Sequence, residues 1–291
     1  MGELTIDDVY EQVRNAVPAA APEAPPVLAP VAPGIRVLAL RTPTLPPAAH
    51  TNVYLVGPLV VDPGSPYGDQ QAILDEQLAA ERVAVVVLTH HHGDHVGGAQ
   101  ALADRLGVPI AAHPATAKRL AGRVTVTREL HDGDVFEGVT CVHTPGHAEG
   151  HLCFEHGDAT LAGDMVAGLG TILIDPDEGD MGLYLASLQR LLERGSKTLL
   201  PAHGPAITDA AGKLREYIAH RTMREDKVVA ALATRRDAAL ADLLPDVYSD
   251  TPAILWPLAE RSLRAHLDKL VREHRARNVA PGRWTSLEGP L

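Results

Sequence analysis

The segment LTHHHGDHVGG, residues 88–98, places four histidines and an aspartate within six positions, directly behind the apolar run VAVVVL at 83–88. Read as H-x-H-x-D-H, the ligand-type side chains are His90, His92, Asp94 and His95. His90 and His92 are two apart, so an extended segment aims both in one direction, and Gly93 permits a turn that redirects Asp94 and His95. Such a loop can aim two ligands at one metal and two at a second. Imidazole with carboxylate suits zinc, with iron or manganese as alternatives. The bland alternative is an incidental His-rich loop. Its internal position, the buried strand before it and the included acid weigh against that.

Three later residues extend the set: His147 in HTPGHAEGH (143–151), Asp164 in LAGD (161–164) and His203 in LLPAHG (199–204). Each is a ligand-type side chain beside glycine at the end of a strand pattern. Alone, each reads as an ordinary loop residue. Together they give five histidines and two aspartates, enough for two divalent metal ions sharing one carboxylate. The chemistry this supports is hydrolysis, with a metal-bound hydroxide available near neutral pH. Asp94 is the candidate catalytic group, orienting the nucleophile and passing on a proton. His91 should point opposite to His90 and His92, lining the pocket or packing away from it without acting as a ligand. His113, His131, His143 and His156 carry no such signal. His151, four residues after His147, is the candidate to face substrate.

The elements that position these residues are short strands with interspersed helices. Strand patterns occupy 35–40, 52–57, 59–64, 83–89 and 109–113, with more β-structure over 124–144 and a hairpin over 151–164. Helical spacing covers 69–80, 97–107, 114–121 and 183–195, the second and last closed by Gly107 and Gly195. The strand blocks group as 35–64 with 83–143, and 151–203. The expected fold class is α/β, two sheets packed together with helices outside. Residues 1–34 are expected to form a helix over 4–17, with Leu4, Val9, Val13 and Val17 on one side, and a Pro/Ala-rich extended linker over 18–34. Residues 35–210 form the catalytic domain and 211–291 a small C-terminal domain. Its expected parts are helices over 213–232, 234–245 and 249–275 and a small wing over 278–287. Thr251 is a candidate cap, and Pro257 is expected to kink or restart the third helix.

Charge bounds the partners. The net charge is −11. Residues 1–210 hold 12 Lys and Arg against 26 Asp and Glu, a net −14, and residues 211–291 hold 14 against 11, a net +3. The acidic body disfavours nucleic acid and anionic membrane, and the tail is well short of a basic footprint. A small-molecule acyl substrate fits better. Only Cys141 and Cys153 occur, and there is neither a secretory signal pattern nor an apolar run long enough to span a membrane, so the expected compartment is the cytoplasm.

The order and spacing of HHHGDH, TPGH, GD and the final His-Gly resemble the metallo-β-lactamase superfamily over about residues 35–205. The resemblance implies an αβ/βα sandwich with a metal site at one edge of the sheets. It implies His90, His92 and His147 on a first metal, Asp94, His95 and His203 on a second, and Asp164 bridging. Asp62 in VVDPG (60–64) matches the family's early Asp turn, expected to support the ligand loop from behind. β-Lactamases proper of this fold place a residue other than Asp at the bridging position, so Asp164 points to the wider group of hydrolases. EYIAHRTMRED (216–226), LWPLAERSLRAHLDKLVREHR (255–275) and residues 165–192 resemble the lactamase-β-like subfamily with a C-terminal winged-helix extension. That group includes acyl-carrier-protein thioesterases and a single-strand endoribonuclease. The final motif departs from its pattern, reading PAHG where PGHG is common, which is tolerable unless Ala202 must adopt positive φ. Three readings follow: hydrolysis of a thioester or small acyl ester carried on CoA or a carrier protein; single-strand RNA cleavage; and a non-catalytic metal-binding scaffold. Metal analysis with an ester assay separates the last from the others, and salt dependence separates RNA from acyl substrates.

Overall fold

The computed structural model describes residues 6–17, 26–235 and 237–287. Leu4 and residues 18–25 of the expected linker lie outside the described residues. Helix α1 (Ile6–Ala16) is followed by a seven-stranded sheet whose spatial order is the chain order: β1 (Ala29–Ala32), β2 (Ile35–Arg41), β3 (His50–Val56), β4 (Leu59–Val61), β5 (Val85–Val87), β6 (Ile110–Ala112) and β7 (Arg128–Glu129). The linker expectation fails at Ala29–Ala32. This stretch pairs antiparallel with β2 because the Pro33–Gly34 turn folds it back, with Gly34 at a φ of 75°.

From β4 to β7 the strands run parallel, as crossover connections through helices require. Helices α2 (Gly68–Leu78), α3 (Gly93–Val96), α4 (Ala99–Leu106) and α5 (Pro114–Leu120) occupy those connections. Leu74, Leu78, Leu102 and Leu120 bury the outer face of this sheet.

The second sheet has five strands in the order β12-β11-β10-β9-β8: β8 (Val135–Phe136), β9 (Val139–His143), β10 (Leu152–His156), β11 (Ala159–Gly163) and β12 (Thr198–Pro201). This corrects the expected grouping of 135–143 with the first sheet. β9 pairs antiparallel with β10, Leu152 opposite His143, because the TPGHAEG loop joins the two as neighbours. Between the sheets lies one core, where Tyr54, Val61, Val87, Leu152, Phe154 and Leu161 meet. Helix α6 (Met181–Arg194) and the start of the 26-residue α7 (Ala210–Arg235) cover the outer face of the second sheet through Tyr184, Leu188, Leu214 and Tyr217. The order is helix, sheet, sheet, helix.

The far half of α7 enters another core. Val228, Val229 and Leu232 pack with α8 (Leu240–Val247), α9 (Trp256–Arg272) and a three-stranded sheet of β13 (Ala238–Ala239), β15 (Arg283–Ser286) and β14 (Ala276–Ala280). One rigid helix therefore belongs to both bodies. The helix expected over 234–245 begins instead at Leu240, after β13, and Pro245 sits inside it. Pro252 precedes a 3-10 turn at Ala253–Leu255, and α9 starts anew at Trp256–Pro257, where proline's missing N–H costs nothing.

Candidate metal centre

Strand register assembles the site. β4 and β5 pair parallel with Val61 opposite Val87, which sets Asp62 beside the first residues after β5. Asp62 N–H donates to Val87 O at 3.0 Å, and Leu152 N–H donates to Thr89 O at 2.9 Å, so the His-rich loop is stitched to both sheets. β11 and β12 also run parallel, with Leu161 opposite Leu200, and end side by side in Asp164 and His203. Gly64 lets the Asp62 turn lie flat on the ligand loop; a Cβ there would stand 1.8 Å from Asp94 O. Ala202 is not among the positive-φ residues, so the departure from glycine carries no backbone cost.

All seven residues converge. His90 Nε2 and His92 Nδ1 are 2.9 Å apart, and His147 Nε2 lies 3.2 and 3.0 Å from them. His147 Nε2 is 3.4 Å from Asp164 Oδ2. On the other side, His95 Nε2 and His203 Nε2 are each 3.4 Å from Asp164 Oδ1. Asp94 Oδ2 is 3.5 Å from His203 Nε2 and Asp94 Oδ1 is 4.0 Å from His95 Nε2. Two groups thus form, His90–His92–His147–Asp164 and Asp94–His95–His203, each with ligand atoms close enough for one metal ion. Asp164 turns one oxygen to each.

The hydrogen bonds behind the rings decide which nitrogens are bare. Asp62 accepts from Thr89 N–H at 2.8 Å and from Thr89 Oγ1 at 2.6 Å, and its Oδ2 also accepts from His95 Nδ1 at 2.8 Å. With the threonine proton committed, His90 Nδ1 donates to Thr89 Oγ1 at 3.0 Å. His147 Nδ1 donates to Leu173 O at 2.9 Å, and His203 Nδ1 to His50 O at 3.0 Å. His92 Nε2 donates to Glu178 Oε2 at 2.9 Å. Every inward nitrogen of the first group is then a lone pair, and three lone pairs about 3 Å apart with no proton between them call for a cation. His95 Nε2 and Asp164 Oδ1 are buried without a hydrogen-bond partner, as ligand atoms awaiting a metal would be. The residues present fit divalent ions.

The electrostatics agree. Burial, then the neighbouring His95, pushes the His90 imidazole well below its ordinary value, and burial with His92 lowers His147 to about 4. These rings are neutral, as ligands must be. Burial also opposes charge on His95, but Asp164, Asp94 and Asp62 outweigh it and hold this ring well above the usual range. His203 is raised in the same way, against burial, by Asp164. Burial would raise Asp164, yet His203 and His95 draw it well below the carboxylate range. That half of the site is a field built for positive charge.

The turn aspartate Asp62 sits at a φ of 52°, in the left-handed region, held by its bonds to Thr89 and His95. His91 joins neither group. It is 5% exposed, with Nε2 3.2 Å from Glu178 Oε2. His151 is a correction. It is fully buried, its Nδ1 lies 2.8 Å from Thr144 Oγ1 and its Nε2 accepts from Asp164 N–H at 3.1 Å. It fixes the bridging loop from behind and cannot face substrate. Gly163, at a φ of 48°, leaves room for that ring; a Cβ would stand 2.5 Å from His151 Nε2.

Sequence reasoning missed the segment 165–180. Leu173 supplies a backbone carbonyl, which no side-chain pattern reveals. Glu178 lies in the acid-rich string DPDEGD, which was signal enough to seek a histidine partner. The C-terminal body grips this segment. Arg221 of α7 donates to Ile172 O; Arg261 of α9 pairs with Asp175, bonding Oδ1 at 2.9 Å, and with Asp177 at 2.6 Å; Arg272 pairs with Asp180 at 2.8 Å.

Comparison with known proteins agrees with this geometry. Residues 46–203 match the model of the metallo-beta-lactamase superfamily, and residues 240–284 match the beta-lactamase associated winged helix domain. The chain is 30% identical over 268 residues to the beta-lactamase-like protein 2 homolog of Drosophila melanogaster, covering 84% of this chain and 89% of that one. It is 31% identical over 265 residues to the atrochrysone carboxyl ACP thioesterase of Claviceps purpurea, covering 82% and 81%. A beta-lactamase domain protein from Burkholderia ambifaria superposes with a TM-score of 0.78 at 22% identity, covering 91% of this chain and 95% of that one, and so shares the fold.

Proposed function

The chain belongs to the metallo-beta-lactamase superfamily and is a metal-dependent hydrolase, and from that premise we propose a dinuclear enzyme that hydrolyses a thioester or small acyl ester. The observation that carries the dinuclear reading is Asp164, whose two oxygens face separate ligand groups at 3.4 Å. His90, His92 and His147 with Oδ2 would hold one ion, and Asp94, His95 and His203 with Oδ1 the other. Zinc matches the five-histidine donor set best. Bound there, two such ions supply Lewis-acid polarisation and lower the pKa of water to about 7.

The chain's own residues do the rest. Asp94 is the most accessible carboxylate of the set, with 16% of its side chain exposed. Its Oδ1 has His95 Nε2 no nearer than 4.0 Å and is free to accept a proton from the attacking water. As the C–O bond forms and the C–S bond breaks, the same oxygen returns that proton to the departing thiolate. Asp62 and Glu178 hold His95 and His92 in the tautomers that keep their ligand nitrogens bare.

The acyl substrate is favoured by charge and by kinship. The basic side chains of the C-terminal body are spent on acids: Arg261 on Asp175 and Asp177, Arg272 on Asp180, Lys227 on Asp250, Arg235 on Asp246. They leave no stripe for a phosphate backbone. The Claviceps relative is named as a thioesterase acting on a carrier-protein acyl group, and a CoA- or carrier-bound acyl chain is the substrate we propose here. No described helix is long and apolar enough to cross a membrane. The free, buried thiols of Cys141 and Cys153 suit a reducing cytoplasm. The test is a side-by-side assay of the zinc-loaded protein on acyl-CoA thioesters, lactones and single-stranded RNA. Thioester turnover abolished by Asp94→Ala is expected. Cleavage of RNA alone would overturn the reading.

A further inference from the structure

Helix α1 has no part in the ligand set, yet its anchors lie on both sides of the cleft. At one end it packs on the 3-10 turn Ala253–Leu255 of the C-terminal body. At the other, Arg14 donates to Pro43 O at 2.9 Å. The next residue, Thr44, brings its hydroxyl within 3.4 Å of His203 Nε2. Val9 and Val13 bury the inward face, at 5% and 1% exposure. Tyr10 stands one turn before Arg14 on the same side and is part-buried.

Its hydroxyl lies within electrostatic reach of Asp175, Asp94, Glu178 and Arg261, which belong to the metal cleft and its bracing segment. We propose that α1 roofs the metal cleft and that Tyr10 contacts the acyl substrate, as a positioning residue that favours a slender acyl chain over a bulky ligand. This rests on the acyl-hydrolase reading above.

The chemistry of Tyr10 suits that task. Burial first, then Asp175, Asp94 and Glu178, raise its phenol far above the ordinary value. It therefore remains a neutral O–H donor. Placed among carboxylates that can only accept, it is the group there able to donate to a substrate amide or carbonyl, while its ring offers an apolar wall. A helix fixed at both ends over the cleft leaves a gap suited to an extended chain carrying a thioester. A folded nucleic acid would have to displace it.

The experiment uses the full chain, zinc-loaded, with Tyr10→Phe, Tyr10→Ala and Val13→Asp, the last chosen to undock α1. Steady-state kinetics are measured on N-acetylcysteamine thioesters of short and long acyl chains, and the rate of zinc removal by EDTA is followed in parallel. Loss of one hydrogen bond should raise KM roughly three- to tenfold in Tyr10→Phe with kcat nearly unchanged, and more in Tyr10→Ala. Val13→Asp should speed zinc removal severalfold. A purely structural role for Tyr10 would lower stability without this split between KM and kcat. Unchanged KM in both Tyr10 variants overturns the substrate contact, and an unchanged EDTA rate in Val13→Asp overturns the roof. If the parent protein cleaves no thioester, the acyl reading falls and takes the substrate contact with it. The EDTA rates then still decide whether α1 covers the cleft.

Discussion

The two halves of the metal centre are braced from different bodies. The half built from Asp94, His95 and His203 is supported within the sandwich, by Asp62 behind His95 and by the His50 carbonyl behind His203. In the half built from His90, His92 and His147, only His90 is held this way, through Thr89. His147 and His92 lean on Leu173 O and Glu178, in the segment that Arg221, Arg261 and Arg272 pin from the C-terminal body. The lesson is that the C-terminal domain acts here as a brace for one ligand group. Its modest positive charge meets the acidic segment of the same chain instead of an external polyanion. A site shared in this way should respond unequally when either brace is cut.

The most severe break is at the shared residue. Asp164→Asn should remove most bound metal and cut turnover by more than about 10³-fold, read by metal analysis and kinetics. Full retention of both would remove the basis for treating the two groups as one site. Asp62→Ala should weaken metal binding about 10- to 100-fold in the Asp94–His95–His203 group and leave the other nearly unaffected. Glu178→Gln should do the reverse, by about tenfold, since an amide oxygen still accepts from His92. Competitive chelator titration of the two variants separates a tight from a loosened site, and matching profiles would contradict the division of labour.

Arg261→Ala reaches the first group only through the segment. The Arg261–Asp175 pair is mostly buried, with 16% and 8% of the side chains exposed, and its loss should cost about 1–3 kcal/mol of stability. Affinity at the His90–His92–His147 group should fall severalfold, with the other group unchanged. The smallest effect concerns the brace itself. Burial would raise the Glu225 carboxyl, but His266 and Lys269 lower it to about 2. Its folded value thus lies below the unfolded one, so the stabilisation is complete above about pH 4.5 and is lost as pH falls toward about 2. Between those limits the melting temperature should fall more steeply in the parent than in Glu225→Gln.

Legibility in the sequence followed chemistry on side chains. The seven ligand-type residues are brought together in the structure, because histidine and aspartate at strand ends beside glycine are rare enough in combination to stand out. Asp62 was readable by its turn. Leu173 was not, since it acts through its backbone. Glu178 and Arg261 lie 86 and 84 positions from the partners they bond, His92 and Asp177, and single charges at that separation carry no pattern. His151 was misjudged because nearness in sequence to His147 was taken for nearness to substrate; β10 turns it into the interior beneath Asp164. The placement of 135–143 depended on strand pairing, which alternating apolar residues leave open. The strand at Ala29–Ala32 was hidden by its prolines, which edge strands tolerate.

The most direct test of the central claim is X-ray absorption spectroscopy of the zinc-loaded protein, alongside its metal content. Two zinc ions per chain, in histidine-rich shells and with a metal–metal vector of about 3.5–4 Å, are predicted. A single zinc per chain at saturation, or two with no such vector, would contradict a pair of cations joined through Asp164.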